Sequence, residues 1–443
     1  MGRKVFISFL GFTNYDATRY AADDNDAETT LPLRFIQEAT LLKIKEQFHG
    51  NDRVLILTTR GALKNWHDGE HQNFKTKELE WHEGLNSRLN KLNLQAQYKN
   101  IDINDGKDTD EIWSIFNVIF SLLNENDELY FDITHGFRTL PMLNMVLINY
   151  AKLLKNITVS GIFYGAYEAK KKFNDIEYAP IWDLKSFVDL QDWTNSANIF
   201  LKTGNAIELA TLIKNDVLKN NLTLFSKQLL VNRGLDIYNG EITIELNKHL
   251  QKIENSDSTS PALTPILKKI KNEFNHYEKN SAINGFLAVR WCIKNGLIQQ
   301  AATLLEEFII TFVMTEIGES GSIANHEKRT TVGSALSIGK EQTFSYKIIP
   351  SNNENITAEK LISIQQFHNW QKKVVPIIKD LSYQKDILKI LDKLKNPIRN
   401  DINHAGFRER ARDFDSLENS IKSRYKETQK LILKVKNIIL PEL

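Results

Sequence analysis

The sequence has little cysteine, almost no excess charge and no long apolar run. Its 443 residues include one cysteine, Cys292, which excludes an intramolecular disulfide and agrees with a reducing cytosol. No apolar stretch approaches the ~18 residues of a membrane span, and the amino end lacks the apolar core of a signal peptide. The net charge of +2 excludes a polybasic protein, so any contact with nucleic acid must come from a local patch. These absences predict a cytoplasmic protein that makes no membrane contact.

The first part of the chain alternates short β-branched runs with segments of helical periodicity. Such alternation predicts βαβ units and a doubly wound, mostly parallel sheet, here a Rossmann-like α/β domain over residues 1–183. A ligand site in this fold belongs at the carboxyl ends of the strands. The predicted strands are 5–10, 54–58, 96–103, 128–133 and 157–164.

Beyond about residue 182 the strand signals give way to helical periodicity. We therefore predict an all-α domain over residues 184–443. Two stretches rich in Ser, Gly, Asn and Thr, 255–260 and 318–355, are predicted loops inside it. The predicted helices are 193–203, 205–220, 222–238, 282–294, 297–315, 358–379, 384–394 and 413–439.

Polar loops follow three of the predicted strands, where the fold places ligands. Hydroxyls, backbone N–H groups and arginines in these loops would form a cradle for phosphates and bases. The alternative is architectural, with Gly136 in a turn and Thr139 capping the next helix. The candidate ligand residues are Gly11, Phe12, Thr13 and Asn14 after the first strand, Thr58, Thr59 and Arg60 after the second, and Thr134, His135, Gly136, Phe137 and Arg138 after the fourth.

A second constellation lies near the carboxyl end, at residues 396–404. Arg399 supplies a forked, permanently charged donor, and histidines such as His404 can exchange protons near neutral pH, which suits phosphodiester chemistry. Pro397 is tolerated in a first helical turn, so we expect Arg399 and Asn400 close to a helix start, whose N–H groups favour a phosphate. The alternative is that these polar residues make surface pairs and a helix cap.

Two motifs resemble a known family. Asp132-x-Thr134-His135-Gly136 resembles the DxTHG motif of CRISPR-associated proteins that join a Rossmann-like CARF sensor to a HEPN ribonuclease domain, and Arg399-x4-His404 is similar to the HEPN signature. The resemblance implies that the first domain binds a cyclic oligoadenylate made by a type III CRISPR complex. Binding would switch on cleavage of single-stranded RNA in antiviral defence. The implied activator is cyclic tetra-adenylate, with cyclic hexa-adenylate as the alternative.

The chemistry of RNA cleavage suggests roles for the residues at the helical end, beside the resemblance. His404 would transfer a proton, Arg399 would hold the phosphate, and Asn400 would position the phosphate or brace Arg399. RNA carries its own nucleophile, the 2′-hydroxyl, so no metal or other cofactor is obligatory. On a regular helix, five residues leave Arg399 and His404 about 140° apart. We therefore expect either a non-helical entry at Arg399 or a site completed by a second subunit, in a homodimer or larger homo-oligomer.

Other charged patterns have open interpretations. His67-x-x-Glu70-His71 satisfies a zinc-protease pattern, but Gly69 favours a turn over the required helix, so we expect no metal site. One of the two carboxylates of Glu306 and Glu307 could orient Arg399 across the helical bundle, or both could face solvent. A series of lysines could guide an RNA backbone or form an ordinary solvated face. These lysines are Lys372, Lys373, Lys379, Lys385, Lys389, Lys393 and Lys395.

Two rival functions remain open at this point. The first domain could itself cleave the cyclic ligand as a ring nuclease, with Thr13, Thr59 and Arg138 taking part. Alternatively, the protein could be a non-catalytic regulator whose contacts with nucleic acid or protein change when ligand binds. A helix-turn-helix module would favour the regulator, but no recognition unit is evident before the apolar end at residues 437–441.

Overall fold

The computed structural model describes residues 2–72, 77–135, 140–254, 261–340, 342–346, 358–404, 406–407 and 409–443. The chain divides into two compact units, Met1–Gln191 and Asp192–Leu443. The first unit contains a mixed sheet with helices on both faces, and the second is helical. This arrangement confirms the predicted fold class, an α/β domain followed by an all-α region.

The first unit is built on an eight-stranded sheet within the described residues. Its strands, together with a separate hairpin formed by β4 and β5, are β1 (Lys4–Leu10), β2 (Tyr20–Ala21), β3 (Arg53–Thr58), β4 (Gly69–Gln72), β5 (Leu79–His82), β6 (Gln97–Asp102), β7 (Glu128–Asp132), β8 (Thr158–Gly165), β9 (Lys171–Phe173) and β10 (Ile176–Asp183). Its helices are α1 (Asp24–Thr29), α2 (Ile36–Ile44), α3 (Leu85–Lys91), α4 (Thr109–Leu122) and α5 (Leu140–Lys155).

The strand order places a topological switch point at β1. The order is β2-β10-β8-β7-β1-β3-β6, with β9 paired to β10, and the five strands from β8 to β6 are parallel. The chain moves from β1 outward to β3 and β6, and then returns to β7 on the other side of β1. A crevice opens outside the carboxyl ends of strands where the order reverses in this way. The loops after β1 and β7 therefore border the expected ligand crevice.

Side chains of successive strand residues enter two cores on opposite faces of the sheet. From β1, Val5, Ile7 and Phe9 pack with apolar residues of α4 and α5. Phe6 and Leu10 pack on the other face with residues of α2 and α3. Strands buried on both faces read as continuous apolar runs, which is why their sequence signal is strong. All five predicted strands are confirmed, within a few residues at their ends.

The hairpin of β4 and β5 and the antiparallel strand β10 were not predicted. β4 carries the sequence Gly-Glu-His-Gln, in which His71 alone is buried, so it has no apolar alternation. β10 lies between β2 and β8 near one edge of the sheet, and it pairs parallel to β2 and antiparallel to β8. Its burial depends on those neighbours more than on its own composition.

The second unit is a helical bundle. Its helices, with α6 starting just before the division between the units, are α6 (Lys185–Thr203), α7 (Ile207–Thr211), α8 (Asp216–Leu230), α9 (Gly234–Asn239), α10 (Glu241–Glu254), α11 (Thr264–Lys271), α12 (Ile283–Lys294), α13 (Ile298–Glu316), α14 (His326–Leu336), α15 (Ala358–Asp380), α16 (Gln384–Leu394), α17 (Asn400–Asn403) and α18 (Phe414–Lys436). A π-helical turn, Lys395–Arg399, joins α16 directly to α17.

The predicted loop at 318–355 is wrong in part, because α14 lies within it. This helix begins where the Asn325 side chain accepts a hydrogen bond from the backbone N–H of Lys328, and it buries Val332, Ala335 and Leu336. Its Thr, Gly and Ser residues had suggested a loop. The predicted loop at 255–260 lies outside the described residues. None of the helices in the described part of the chain is long and apolar enough to cross a membrane.

Helix α13 crosses the centre of the helical core. It is apolar around most of its circumference, as expected of a buried helix, and Leu305, Phe308 and Val313 are almost completely buried. It packs closely on α12, where a Cβ added to Gly285 would lie 1.8 Å from the ring of Phe308. The charged side chain of Glu306 is held in this apolar helix at 4% exposure.

Candidate functional site

A cavity of about 220 Å³ lies at the switch point of the sheet. It is bordered by the ends of β1 and β3 and by the loop after β7, where the fold places ligands. Its described lining includes six of the predicted ligand residues: Gly11, Phe12, Thr13, Thr59, Thr134 and His135. The sequence prediction did not include the five other lining residues, which are Phe9, Leu10, Tyr15, Leu57 and Ile103.

Asp132 fixes the beginning of the loop after β7. Its carboxylate is completely buried and accepts hydrogen bonds from the Ser8 hydroxyl at 2.6 Å and from the backbone N–H and hydroxyl of Thr134 at 3.0 and 2.5 Å. The Thr134 hydroxyl also accepts a hydrogen bond from the Gly165 N–H at 2.8 Å. Burial raises the pKa of Asp132, while these hydrogen bonds act in the opposite direction. Asp132 and Thr134 thus hold the cavity wall together.

Gly11 allows an aromatic side chain to approach the backbone of the first loop. A Cβ at this position would lie 1.6 Å from the Tyr15 hydroxyl oxygen and 3.2 Å from Cγ of His135. The rings of Tyr15 and His135 are in contact, with centroids 4.8 Å apart. Burial raises the pKa of Tyr15, so its hydroxyl stays protonated. The glycine is therefore required by packing on the cavity wall.

Two asparagines hold the first loop in place. Asn65, which ends a short 3₁₀ turn after β3 and is buried, donates to the backbone carbonyls of Gly11 and Thr13, both at 2.8 Å. Asn14 donates to the carbonyl of Gln72 in β4 at 2.6 Å, which attaches the loop to the hairpin. Asn14 thus supports the loop, while Asn65 was missed because its sequence neighbours give no sign of these long-range contacts.

The remaining predicted ligand residues are placed differently. Thr58 is buried, and its hydroxyl donates to the Asn100 side chain in β6. Arg60 is exposed, and neither it nor Thr58 is among the described residues that line the cavity. Gly136, Phe137 and Arg138, like Thr139, lie outside the described residues.

Arg34 is a cation of this region that the sequence prediction missed. Its Nε and Nη1 are buried, and neither has a hydrogen-bond partner in the described residues. Burial lowers the pKa of Arg34, and its charge helps to lower the pKa values of His71 and His82 on the hairpin, for which burial is the larger cause. Arg34 and Tyr15 also influence each other electrostatically. Arg34 is half-buried, and the nearby charges of Asp16 and Glu80 act on its pKa against the effect of burial. Guanidinium N–H groups that have no protein partner are suited to an anionic ligand.

We expect His135 to make the stability of the first unit dependent on pH. Burial lowers its pKa from 6.5 to about 4, so the unfolded chain binds this proton more readily than the folded chain. The contribution is complete above pH 6.5 and is lost as the pH falls towards 4. Between these values the wild type should lose up to about 3 kcal/mol more unfolding free energy than His135→Gln, as measured by urea denaturation. Parallel pH profiles for the two proteins would contradict this expectation.

In the second unit, Glu306 holds the side chain of Arg399. Nη1 of Arg399 donates to Oε2 of Glu306 at 2.5 Å, and Nζ of Lys395 lies 3.5 Å from Oε1. Because the carboxylate is buried, the ion pair fixes the position of the guanidinium, and replacement of Glu306 would leave both cations without their counter-charge. The neighbouring carboxylate of Glu307 instead pairs with Arg329 at 2.7 Å. Of the two interpretations of Glu306, the one in which it orients Arg399 therefore agrees with the structure.

The helix start predicted at Pro397 is wrong. Pro397 lies inside the π-helical turn, and the backbone N–H of Asn400 donates to the carbonyl of Lys395. The helical backbone therefore continues through Arg399, and Asn400 does not offer its N–H to a phosphate. The prediction failed because a π-turn accommodates the missing proline N–H without ending the helix. The alternative non-helical entry at Arg399 is excluded for the same reason.

His404 follows the end of α17. Its backbone N–H donates to the carbonyl of Asn400 at 3.0 Å, and its side chain is exposed. Arg399 is turned towards Glu306 in the helical core, so the two predicted catalytic side chains have different surroundings. Asn400 is half-buried between them in sequence. A guanidinium with a fixed position can bind a phosphate, and an accessible imidazole can transfer a proton.

The zinc-protease pattern does not form a helical site. His71 lies on β4, so His67 and His71 do not share a helix face. His71 packs near His82 of β5, with ring centroids 5.8 Å apart. Within the described ranges, no three His, Cys, Asp or Glu side chains are grouped so that they could hold a metal ion.

Comparisons with known proteins give matches in both units. Residues 5–168 match the family model of the CARF domain of the CRISPR system endoribonuclease Csx1, and residues 189–281 match that of the second domain of CRISPR-associated protein MJ1674. CRISPR-associated protein MJ1674 of Methanocaldococcus jannaschii is 33% identical over 114 residues, which cover 25% of this chain and 18% of that protein. The match thus spans less than a fifth of that curated relative.

A solved structure also resembles the chain. Enterococcus italicus Csm6 bound to cyclic hexa-2′-fluoro-hexa-dAMP is 12% identical, with a TM-score of 0.44, over 99% of this chain and 95% of that chain. A likeness of this degree does not assign a function. The family matches confirm the resemblance of the first unit to a CARF domain and of the chain to CRISPR-associated proteins.

Proposed function

Because residues 5–168 match the CARF domain family of CRISPR-associated proteins, we propose that this protein is a HEPN-type endoribonuclease activated by a cyclic oligoadenylate. The substrate is single-stranded RNA, and the setting is type III CRISPR antiviral defence. Cyclic tetra-adenylate is the proposed activator, with cyclic hexa-adenylate as the alternative.

The ligand would bind in the crevice at the carboxyl ends of β1, β3 and β7. The cavity offers hydroxyls of Thr13 and Thr59 for polar contacts and the Tyr15 and His135 rings for contact with a base. Arg34 supplies a nearby guanidinium with unused N–H groups for a phosphate. The cavity of about 220 Å³ is small compared with a cyclic oligonucleotide, so it would take only part of the ligand. A cyclic ligand has rotational symmetry, which fits a sensor dimer whose two crevices meet at a twofold axis.

RNA cleavage would proceed by attack of the 2′-hydroxyl on the adjacent phosphorus. The P–O2′ bond forms, the P–O5′ bond breaks, and the products carry a 2′,3′-cyclic phosphate and a 5′-hydroxyl. Arg399 would stabilise the negative charge of the phosphorane, and His404 would take or give a proton. Because Arg399 faces Glu306 while His404 faces solvent, we propose that two chains of a homodimer complete the site.

In the second unit, the observation that supports the nuclease part of the proposal is the fixed position of Arg399. Its guanidinium is held on a buried carboxylate, five residues before an exposed histidine, in a chain whose first unit matches a CARF family. Arginine on a surface helix needs no such partner. Ligand would activate this site by binding one arrangement of the dimer more tightly than another.

The products of the reaction provide the test. Full-length protein is incubated with end-labelled single-stranded RNA, cyclic tetra-adenylate and excess EDTA. We expect RNA fragments ending in 2′,3′-cyclic phosphate, and no cleavage of a DNA of the same sequence because it lacks the nucleophile. Cleavage of the DNA, or cleavage that returns only when a divalent cation is added back, would contradict the proposed chemistry.

A further inference from the structure

One buried carboxylate in the second unit is paired with two cationic side chains. Glu306 is paired through Oε2 with Arg399 and lies 3.5 Å through Oε1 from Nζ of Lys395. Both cations belong to the π-helical turn Lys395–Arg399, at its first and last residues. π-turns within helices are frequent at functional sites. The turn therefore places a lysine beside the arginine to which the proposed function assigns phosphate binding.

The charges of this group are not balanced. A single cation neutralises the carboxylate of Glu306, which is 4% exposed. The side chains of Lys395 and Arg399 are 33% and 30% exposed, so part of each reaches solvent. The group thus has an excess of one positive charge at the surface. A phosphate anion at this position would be attracted by both cations.

The ammonium of Lys395 is held from two sides. Besides the ion pair with Glu306, Nζ donates to the Ser337 hydroxyl at 2.8 Å. That hydroxyl itself donates to the carbonyl of Gly333 at 2.7 Å, so it accepts from Lys395 without competition. An ammonium has three donors, which leaves one for a ligand. Its position is fixed before any substrate arrives, which lowers the entropy cost of binding.

Arg399 likewise keeps unused donors. Nη1 is occupied by Glu306, whereas Nε is buried and has no hydrogen-bond partner among the described residues. The side chain as a whole is 30% exposed, so a phosphate can approach the part of the guanidinium that reaches solvent, away from the buried Nε. Arg399 and Lys395 are therefore arranged around a common carboxylate, and each keeps a solvent-exposed part that can contact a phosphate.

We propose that Lys395 is a second phosphate-binding cation of the nuclease site. It contacts a nonbridging oxygen of the scissile phosphodiester of single-stranded RNA, while Glu306 positions both Lys395 and Arg399. This proposal rests on the proposed ribonuclease function. The pairing with Glu306 distinguishes Lys395 from the lysines of α15 and α16 that were considered with it as possible RNA contacts.

The test compares Lys395→Met and Lys395→Gln with Lys393→Met, an exposed lysine two residues earlier. Glutamine retains a donor for Ser337 but has no charge. In full-length protein activated by cyclic tetra-adenylate, both Lys395 variants should lower kcat/KM for RNA by about 100-fold, as the loss of one transition-state donor does. Lys393→Met should remain within about threefold of the wild type, since it loses only a solvated surface charge.

A phosphorothioate substrate distinguishes a contact from a structural role. Sulfur in place of the contacted nonbridging oxygen should slow cleavage by the wild type. The ratio of the cleavage rate of the phosphate substrate to that of the phosphorothioate should therefore be large for the wild type and smaller for both Lys395 variants, because they have already lost the contact. Loss of activity with an unchanged ratio, or rates like those of the wild type, would overturn the proposal while leaving the ribonuclease function standing. If the wild type cleaves no RNA with either ring size, the proposed function and this inference are both wrong.

Discussion

Replacement of His404 with alanine is expected to lower the activated rate of RNA cleavage by about 10²- to 10⁴-fold, the usual contribution of a general acid or base. The imidazole would be lost as a proton carrier, while Arg399 and its carboxylate would remain in place. Because the His404 side chain is exposed, its removal should leave the fold unchanged. The rate is measured on a fluorogenic single-stranded RNA at saturating cyclic tetra-adenylate.

The matched control is His326→Ala. His326 is also an exposed histidine of the helical unit, at the first position of α14. This variant should cleave at the wild-type rate, and both variants should keep wild-type melting temperatures and affinity for the cyclic ligand. If His404→Ala were as active as His326→Ala, the imidazole would have no part in the chemistry.

Replacement of Gly11 with alanine is expected to weaken binding of the cyclic ligand by about 10- to 100-fold. The added Cβ would lie 1.6 Å from the Tyr15 hydroxyl oxygen, so the Tyr15 ring must move. That ring already contacts Phe35 and His135, and its displacement would change the cavity wall. Overpacking of this kind costs about 1–3 kcal/mol. If this cost destabilises the ligand-bound state relative to the free state, it corresponds to the expected 10- to 100-fold loss of affinity.

Gly61→Ala provides the control for this variant. Gly61 also lies in a loop after a strand of the crevice, but an added Cβ would meet only Cβ of Phe12, at 3.9 Å. Isothermal titration of cyclic tetra-adenylate and cyclic hexa-adenylate into both variants measures the effect. Equal affinities for Gly11→Ala and the wild type would show that the packing of Tyr15 on this loop is not needed by the ligand.

The parts of the fold that could be predicted from sequence are the segments whose own pattern of apolar residues indicates that they are buried. β1 and β3 are buried on both faces and carry continuous apolar runs, and the loops after them could be assigned to one crevice from strand direction alone. The hairpin of β4 and β5 and the polar helix α14 lack such a pattern. Their positions are determined by neighbouring segments.

The residues of the candidate sites likewise fall into those that local sequence could predict and those that it could not. Gly11, Thr59, Thr134 and His135 follow strands directly, and the structure brings them to one cavity. Tyr15, Asn65 and Arg34 could not be assigned because their roles depend on long-range contacts. Glu306 and Glu307 are about 100° apart on one helix, and only the packing of α13 decides which of them meets Arg399.

Pro397 illustrates the opposite error, in which a local rule was applied too strictly. Proline is favoured in a first helical turn, so the sequence indicated a helix start before Arg399. In the structure Pro397 lies within the π-turn, and Lys395 and Arg399 of this turn both pair with the carboxylate of Glu306. A helix start would have exposed backbone N–H groups, whereas the π-turn brings two cations to Glu306.

The dependence of RNA cleavage on the cyclic ligand tests the central claim most directly. Full-length protein is mixed with single-stranded RNA, and the initial rate is measured with no ligand, with cyclic tetra-adenylate and with cyclic hexa-adenylate. The account predicts that one ring size raises the rate by at least about tenfold and that the Arg399→Ala/His404→Ala double variant stays inactive with that ligand. A rate that neither ring size changes, or equal activation of the double variant, would contradict it.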